Sequence, residues 1–206
     1  MRSDSSIADF HRTLQIVMGW TDFHLHQFII RGREYGMPRH FGPLFQDDPW
    51  KVKLGDFRFR RFERFGYEYD FKDNWQLEIR LEEILPLNDR QTYPYCIAGA
   101  RATPEEDCGG PWAYMELLNH HLLTPPLEEL WLIAQAVNRV LNTKEDERVR
   151  EVIGDMDEFQ EAVDRLEAYQ SFQPEHFDRK AVNSQLKRYA GECEQRRHKE
   201  TEGPLK

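Results

Sequence analysis

Cysteine is scarce in this chain, with three in 206 residues, an odd number without dense spacing. That excludes a disulfide framework and leaves a cytoplasmic protein with reduced thiols as the simple reading. Long apolar runs are missing too. No stretch approaches the roughly 20 residues a membrane helix needs, and Met1-Arg2-Ser3-Asp4-Ser5-Ser6 has no apolar core like that of a signal peptide. No membrane partner is expected. Nor is there an excess of positive charge. The formal net charge is −9, with 28 Lys+Arg against 37 Asp+Glu, which excludes a uniformly basic nucleic-acid binder. Absent as well are G-x-S-x-G, a Walker loop, H-E-x-x-H and paired C-x-x-C, and with them the most legible catalytic classes.

What the chain does have is charge and aromatic surface, unevenly spread. Residues 1–101 hold 15 Lys+Arg, 15 Asp+Glu and 18 of the 26 aromatics, whereas residues 102–206 hold 13 Lys+Arg and 22 Asp+Glu. A mean hydropathy of −0.79 with 13% aromatics fits neither a membrane protein nor a disordered one. The division expected is a neutral α+β core over 1–120, an acidic helical extension over 121–190 and a flexible tail over 191–206. A basic segment or another protein's helix face is the expected partner of the acidic part.

Local chemistry places the elements. Ser6 with Asp9 reads as a capping box, after which Ile7, Phe10, Leu14, Val17 and Met18 recur at helical spacing until Gly19. A strand is expected across His24–Arg31, then an irregular loop over 32–49. Tyr67, Tyr69 and Phe71 alternate with Glu68 and Asp70, and Leu77, Ile79 and Leu81 with Glu78 and Arg80; a turn at Lys72-Asp73-Asn74 makes these a hairpin. Thr124-Pro125-Pro126 opens a helix with the stripe Leu127, Leu130, Trp131, Ala134, Val137 and Leu141. Thr143 starts another, with Val149, Val152 and Ile153, interrupted at Gly154-Asp155 before Phe159, Val163 and Leu166. Asp178 caps a last short helix with Val182, Leu186 and Tyr189. The fold class predicted is α+β: a small mixed or antiparallel sheet with packed helices, followed by a helical C-terminal part.

Four groups of residues carry possible chemistry. His24 and His26, two apart on the expected strand, point to one face, and Cys96 and Cys108 bracket a Gly-ended loop with Glu106 and Asp107 beside it. Together the four suit zinc, while cysteines twelve positions apart lack the two-to-four spacing of a zinc knuckle and suit buried free thiols. Asp70 and Asp73 flank a turn; they are candidates for acid–base catalysis or for ordinary turn hydrogen bonding. Glu105-Glu106-Asp107 precede a helix start near Pro111, where carboxylates satisfy free N–H groups. Arg58, Arg60, Arg61 and Arg64 interleave with Phe57, Phe59, Phe62 and Phe65. This pattern serves phosphates and bases, or a strand with Phe inside and Arg at a solvated rim.

Three segments, TLQIVMGWTDFHLHQF (Thr13 to Phe28), YEYDFKDNW (Tyr67 to Trp75) and YPYCIAGARATPEEDCGGPWAY (Tyr93 to Tyr114), resemble in order and spacing the plasmid pRiA4b ORF-3-like family, with its MM3350-like domain. FQPEHFDRKAVNSQL (Phe172 to Leu186) is similar to that family's closing segment. The resemblance implies an accessory protein of plasmids or transposons, a binding or interaction module without an established activity. Against the family pattern, the chain starts after a strand with a Pro-Ile-Trp-Arg-Arg-like run: either the start codon is misplaced, or a core strand is missing and a sheet edge is exposed. Lys72 stands where the family has Gly, and Leu77 where it has His. The alternatives to an interaction module are a metal-dependent enzyme using the His/Cys set, and nucleic-acid binding through Arg58–Arg64.

Overall fold

The computed structural model describes residues 1–37, 45–142 and 155–202. Its contacts divide the chain into two units, Met1–Tyr114 with the chain from His176 onward, and Met115–Glu175. The protein is α+β, with a four-stranded antiparallel sheet among the described residues of the first unit and helices predominating towards the C-terminus.

Period-two alternation builds the sheet from β1 (His26–Ile30), β2 (Arg33–Tyr35), β3 (Arg64–Tyr69) and β4 (Trp75–Arg80), in the order β2-β1-β3-β4. In register, His26 faces Tyr69, Phe28 faces Tyr67, and Tyr69 faces Trp75. One face thus carries His26, Phe28, Ile30, Phe65, Tyr67, Tyr69 and Trp75, all buried. The other is polar, with Gln27 Nε2 donating to Glu68 at 2.6 Å and Arg64 paired to Glu78 at 2.7 Å.

Helix α1 (Ile7–Met18) covers the buried face. Ser6 caps it in a full capping box with Asp9, and Gly19 ends it at φ 71°, as the sequence predicts. Phe10 stacks on Phe28 at 5.4 Å, and Ile7, Leu14 and Met18 join the same core. Two strand expectations are corrected. β1 begins at His26, so alternation does not reach His24. β3 ends at Tyr69; Asp70 takes φ 51° and turns into the protein, only 4% exposed, while Phe71 faces solvent.

The arginine segment is corrected as well. It is a short 3-10 turn (Leu54–Phe57) followed by irregular chain, and becomes strand only at Arg64. Phe57, Phe59 and Phe65 stack into the core, but Phe62 is thrown outward.

The last helix in the chain completes the first unit. It runs Arg179–Glu202 (α5 below), started by Asp178 accepting from Ala181 N–H, and it continues well past residue 191. Leu186, Tyr189, Ala190 and Cys193 are buried in it, and Asn183 brackets the backbone of Cys96 like a neighbouring strand, at 2.8 and 2.9 Å.

Helix α2 (Gly110–Leu123) leads into the second unit, where α3 (Leu127–Leu141) packs against α4 (Met156–Ser171). Asp155 caps α4, and Arg165 pairs with Glu129 at 2.9 Å. The apolar stripe expected on α3 is largely exposed; what it buries is Ala136, and α4 buries Ala162. The helix predicted from Thr143 lies outside the described residues. Among the described residues, no helix is long and apolar enough to cross a membrane.

Candidate metal centre

Behind α1 lies a buried polar network. His11 is on the face of α1 that meets the sheet and is 1% exposed, as its spacing from Ile7 and Leu14 dictates. Its Nδ1 lies 2.8 Å from the Tyr67 hydroxyl and its Nε2 2.8 Å from Asp22 Oδ1. Gln15 donates to the Tyr67 oxygen at 3.0 Å and accepts from Asp22 N–H, and Arg12 holds the other Asp22 oxygen at 2.9 Å. A neutral His11 with its proton on Nε2 closes this chain of donors and acceptors. His26 stacks on His11 with ring centroids 3.5 Å apart. Because both His11 nitrogens and both Asp22 oxygens already have protein partners, this cluster reads as a structural hydrogen-bond network. Tyr67→Phe is therefore expected to cost about 1–3 kcal/mol, since Gln15 and His11 lose their shared buried partner. Urea denaturation measures it, and an unchanged midpoint would refute the assignment.

A second cluster sits at the end of the sheet. His24 Nδ1 lies 3.6 Å from Asp70 Oδ1, and His24 Nε2 lies 3.0 Å from Asp107 Oδ1. One ligand atom from each of the three falls within 4.8 Å of the others. The His24 Nε2 is fully buried, yet its close approach to Asp107 lacks hydrogen-bond alignment. Asp107 is 68% exposed at its side chain, so the cluster opens to water on that side.

Three loops are locked together to make it. The 70–74 turn closes through Asn74 N–H to Asp70 O, and Asp70 Oδ1 accepts from Lys72 N–H at 3.1 Å. The 104–110 loop docks on the turn through Asp73, whose Oδ2 accepts Gly109 N–H at 3.0 Å. It docks on residues 20–24 through Trp20 Nε1 to Pro104 O, and through Glu106. Glu106 Oε2 accepts from Thr21 N–H and hydroxyl at 2.7 and 2.6 Å, and Oε1 accepts from the Tyr69 hydroxyl. Burial opposes the Glu106 charge, but the Thr21 and Tyr69 donors outweigh it and hold the pKa below the usual carboxylate range. Burial and the bond to Glu106 push Tyr69 up, keeping it a donor.

The predicted residues thus separate. His24 and Asp70 converge, with Asp107 as third member. His26 joins His11 and Asp22. Among the described residues, neither group of three or more possible ligands includes a cysteine. Cys96 points its thiol at Ala98 O, and Cys108 packs against the core, where burial raises its pKa. Glu106 and Asp107 reach away from the α2 N-terminus expected to hold them. His11 and Asp22 were invisible as a pair, although the i, i+4 spacing of His11 from Ile7 was a usable sign that it lies inward.

The chain segments that meet here, 20–24, 69–74 and 104–110, come from the three motifs Thr13–Phe28, Tyr67–Trp75 and Tyr93–Tyr114. A sequence model of plasmid pRiA4b ORF-3-like proteins matches residues 1–130. The chain belongs to this family. Uncharacterized protein y4hQ of Sinorhizobium fredii (strain NBRC 101917 / NGR234) is 33% identical over 114 residues, 53% of this chain and 57% of that protein, so the chain spans just over half of that relative's length. The crystal structure of MM3350, a protein of unknown function from Methanosarcina mazei Go1, is similar at 31% identity with a TM-score of 0.55, covering 87% of this chain and 84% of that one. The pRiA4b ORF-3-like match ends before Phe172–Leu186, the segment whose Asn183 holds Cys96.

Proposed function

We propose that the pRiA4b ORF-3-like domain of this chain is a metal-binding interaction module, an accessory protein of the mobile elements that the family's name evokes. One divalent ion, zinc by the donor set, joins its three motif loops through His24, Asp70 and Asp107. The observation that carries this reading is the convergence of one imidazole and two carboxylates from three distant segments, with a buried imidazole nitrogen beside an oxygen it does not hydrogen-bond. A nitrogen and two oxygens with one open side suit zinc, which takes three protein ligands and water. An ion there neutralises two carboxylates brought close together and fixes the relative positions of the loops.

The test uses the full chain, freed of metal and carrying no affinity tag, titrated with zinc. One equivalent should bind and raise Tm; at 100-fold over Kd the stabilisation is about 2.7 kcal/mol. Asp70→Asn and His24→Ala should abolish the rise, while His26→Ala and Cys108→Ser should keep it. Absence of stoichiometric binding, or its loss in Cys108→Ser alone, would overturn the proposal.

A further inference from the structure

The arginine segment takes no part in the metal centre, and its geometry is unlike either a strand or a random loop. Residues 58–63 form a tight excursion between two left-handed residues, Arg58 at φ 46° and Phe62 at φ 67°. Phe62 N–H donates to Leu81 O, Glu63 N–H to Arg60 O, and Leu81 N–H returns to Glu63 O, so the excursion is firmly tied to the chain after β4. A left-handed backbone is strained for a phenylalanine. Here it holds an aromatic ring 56% exposed when burial would have been favourable. Strain that exposes an apolar ring points to a use for the ring.

Charge surrounds it. Arg61 lies with its guanidinium carbon 4.7 Å from the Phe62 centroid and Arg80 at 5.9 Å from the same ring. Beside the ring runs an open groove of about 960 Å3 lined by Arg31, Arg58, Arg60 and Arg61 together with Phe57 and Phe62. Two acids, Asp56 and Glu63, line it against four arginines. Glu63 pairs with Arg31 Nε at 2.8 Å and accepts Arg60 N–H at 2.7 Å, and Asp56 accepts Lys53 N–H at 2.9 Å. Among the described residues, the side chains of Arg58 and Arg60 make no hydrogen bond or ion pair, and both residues line the groove. The net charge of −9 does not cancel this patch, because solvent screens charges beyond about 8 Å at physiological salt.

We propose that this groove binds single-stranded nucleic acid, with a base stacked on Phe62 and backbone phosphates on Arg58 and Arg60. Planar guanidinium groups suit phosphate oxygens, and an exposed ring beside a cationic track is how single strands are held without sequence preference. An acidic peptide would use the arginines but would bring no aromatic base to the exposed ring.

Fluorescence anisotropy of a labelled oligothymidylate with the full chain, from about 50 to 200 mM salt, tests this. Binding should weaken with salt and should exceed that of a duplex of equal length. Arg58→Gln and Arg60→Gln should each flatten the log–log salt slope by about 0.7. Phe62→Leu should lower affinity roughly ten-fold with the slope unchanged. Circular dichroism checks that each variant stays folded, as expected for exposed positions. No binding, equal binding of duplex, or a Phe62→Leu variant as tight as the natural chain would each overturn the proposal. The last result, with arginine dependence retained, would assign the groove to polyanions in general.

Discussion

Gly110→Ala is expected to destabilise the protein by about 3 kcal/mol and to take apart the proposed zinc site with it. Gly110 opens α2 at φ 81°, a conformation that costs an L-residue about 1–2 kcal/mol. The larger obstacle is space. A Cβ on Gly110 would collide with the Asp73 carbonyl, and the neighbouring atoms are Asp73 backbone rather than a side chain that can swing away. Overpacking of this kind costs about 1–3 kcal/mol. Relief requires the 104–110 loop to lift from the 70–74 turn. That breaks the Gly109 N–H to Asp73 bond and carries Asp107 away from His24 and Asp70. The expected pattern is a lowered urea midpoint together with loss of the rise in Tm that the proposed zinc site predicts. Gly191→Ala is the matched control: it sits inside α5 without a left-handed φ and with nothing within 4 Å of its would-be Cβ, so alanine should stabilise by about 0.5–1 kcal/mol. If Gly110→Ala unfolds at the same midpoint as the natural chain, the tight docking of loop on turn is wrong.

This dependence on distant backbone explains what the sequence could and could not disclose. The capping box at Ser6 and Asp9, the stop at Gly19, the hairpin around Lys72-Asp73-Asn74 and the cap at Asp178 are each decided within about four residues, and each is present. The convergence of His24, Asp70 and Asp107 is not local in that sense. Asp70 and Asp107 both have positive φ, a backbone choice that aspartate tolerates but does not announce. It is imposed by contacts such as Thr21 to Glu106, 85 residues apart. Period-two counting placed His24 and His26 on one face, and the bend before β1 separated them. Likewise α3 has a regular apolar stripe, but periodicity says which residues share a face and not whether that face is covered. The -GG- after Cys108 ends the loop, and nothing local shows that its second glycine lies where a Cβ would meet the Asp73 carbonyl.

Asp9→Asn should cost about 2 kcal/mol and should alter the pH dependence of stability in a defined direction. Asp9 closes the capping box of α1 by accepting from Ser6 N–H at 3.0 Å and Ser6 Oγ at 2.8 Å through Oδ2. Its Oδ1 accepts from Tyr189 at 3.0 Å and Arg196 at 2.9 Å on α5, so one carboxylate ties the first helix to the last. Burial works against its charge, but the two Ser6 donors, Tyr189 and Arg196 together lower its pKa below the ordinary value. The same burial and the nearby Asp9 charge raise Tyr189, which stays a donor throughout. An asparagine in either orientation presents an NH2 group to one of these donor sets, which removes an acceptor and places donor against donor. Hydrogen bonds to a charged group contribute about 1.5–3 kcal/mol, and Arg196, 40% exposed, adds little beyond its hydrogen bond. The sign follows from linkage. With the folded pKa depressed, the unfolded chain binds more protons in the acid range, so this stabilisation is complete above the unfolded aspartate value of about 3.9 and disappears as pH falls through the folded value. Denaturation midpoints of the natural chain and Asp9→Asn should therefore differ most from pH 5 upward and converge in acid, where both side chains are neutral. A gap that persists undiminished well below the folded value would mean that Asp9 contributes through shape rather than charge. The tether also fastens α5 beyond residue 191, because Arg196 finds its anion 187 residues back along the chain.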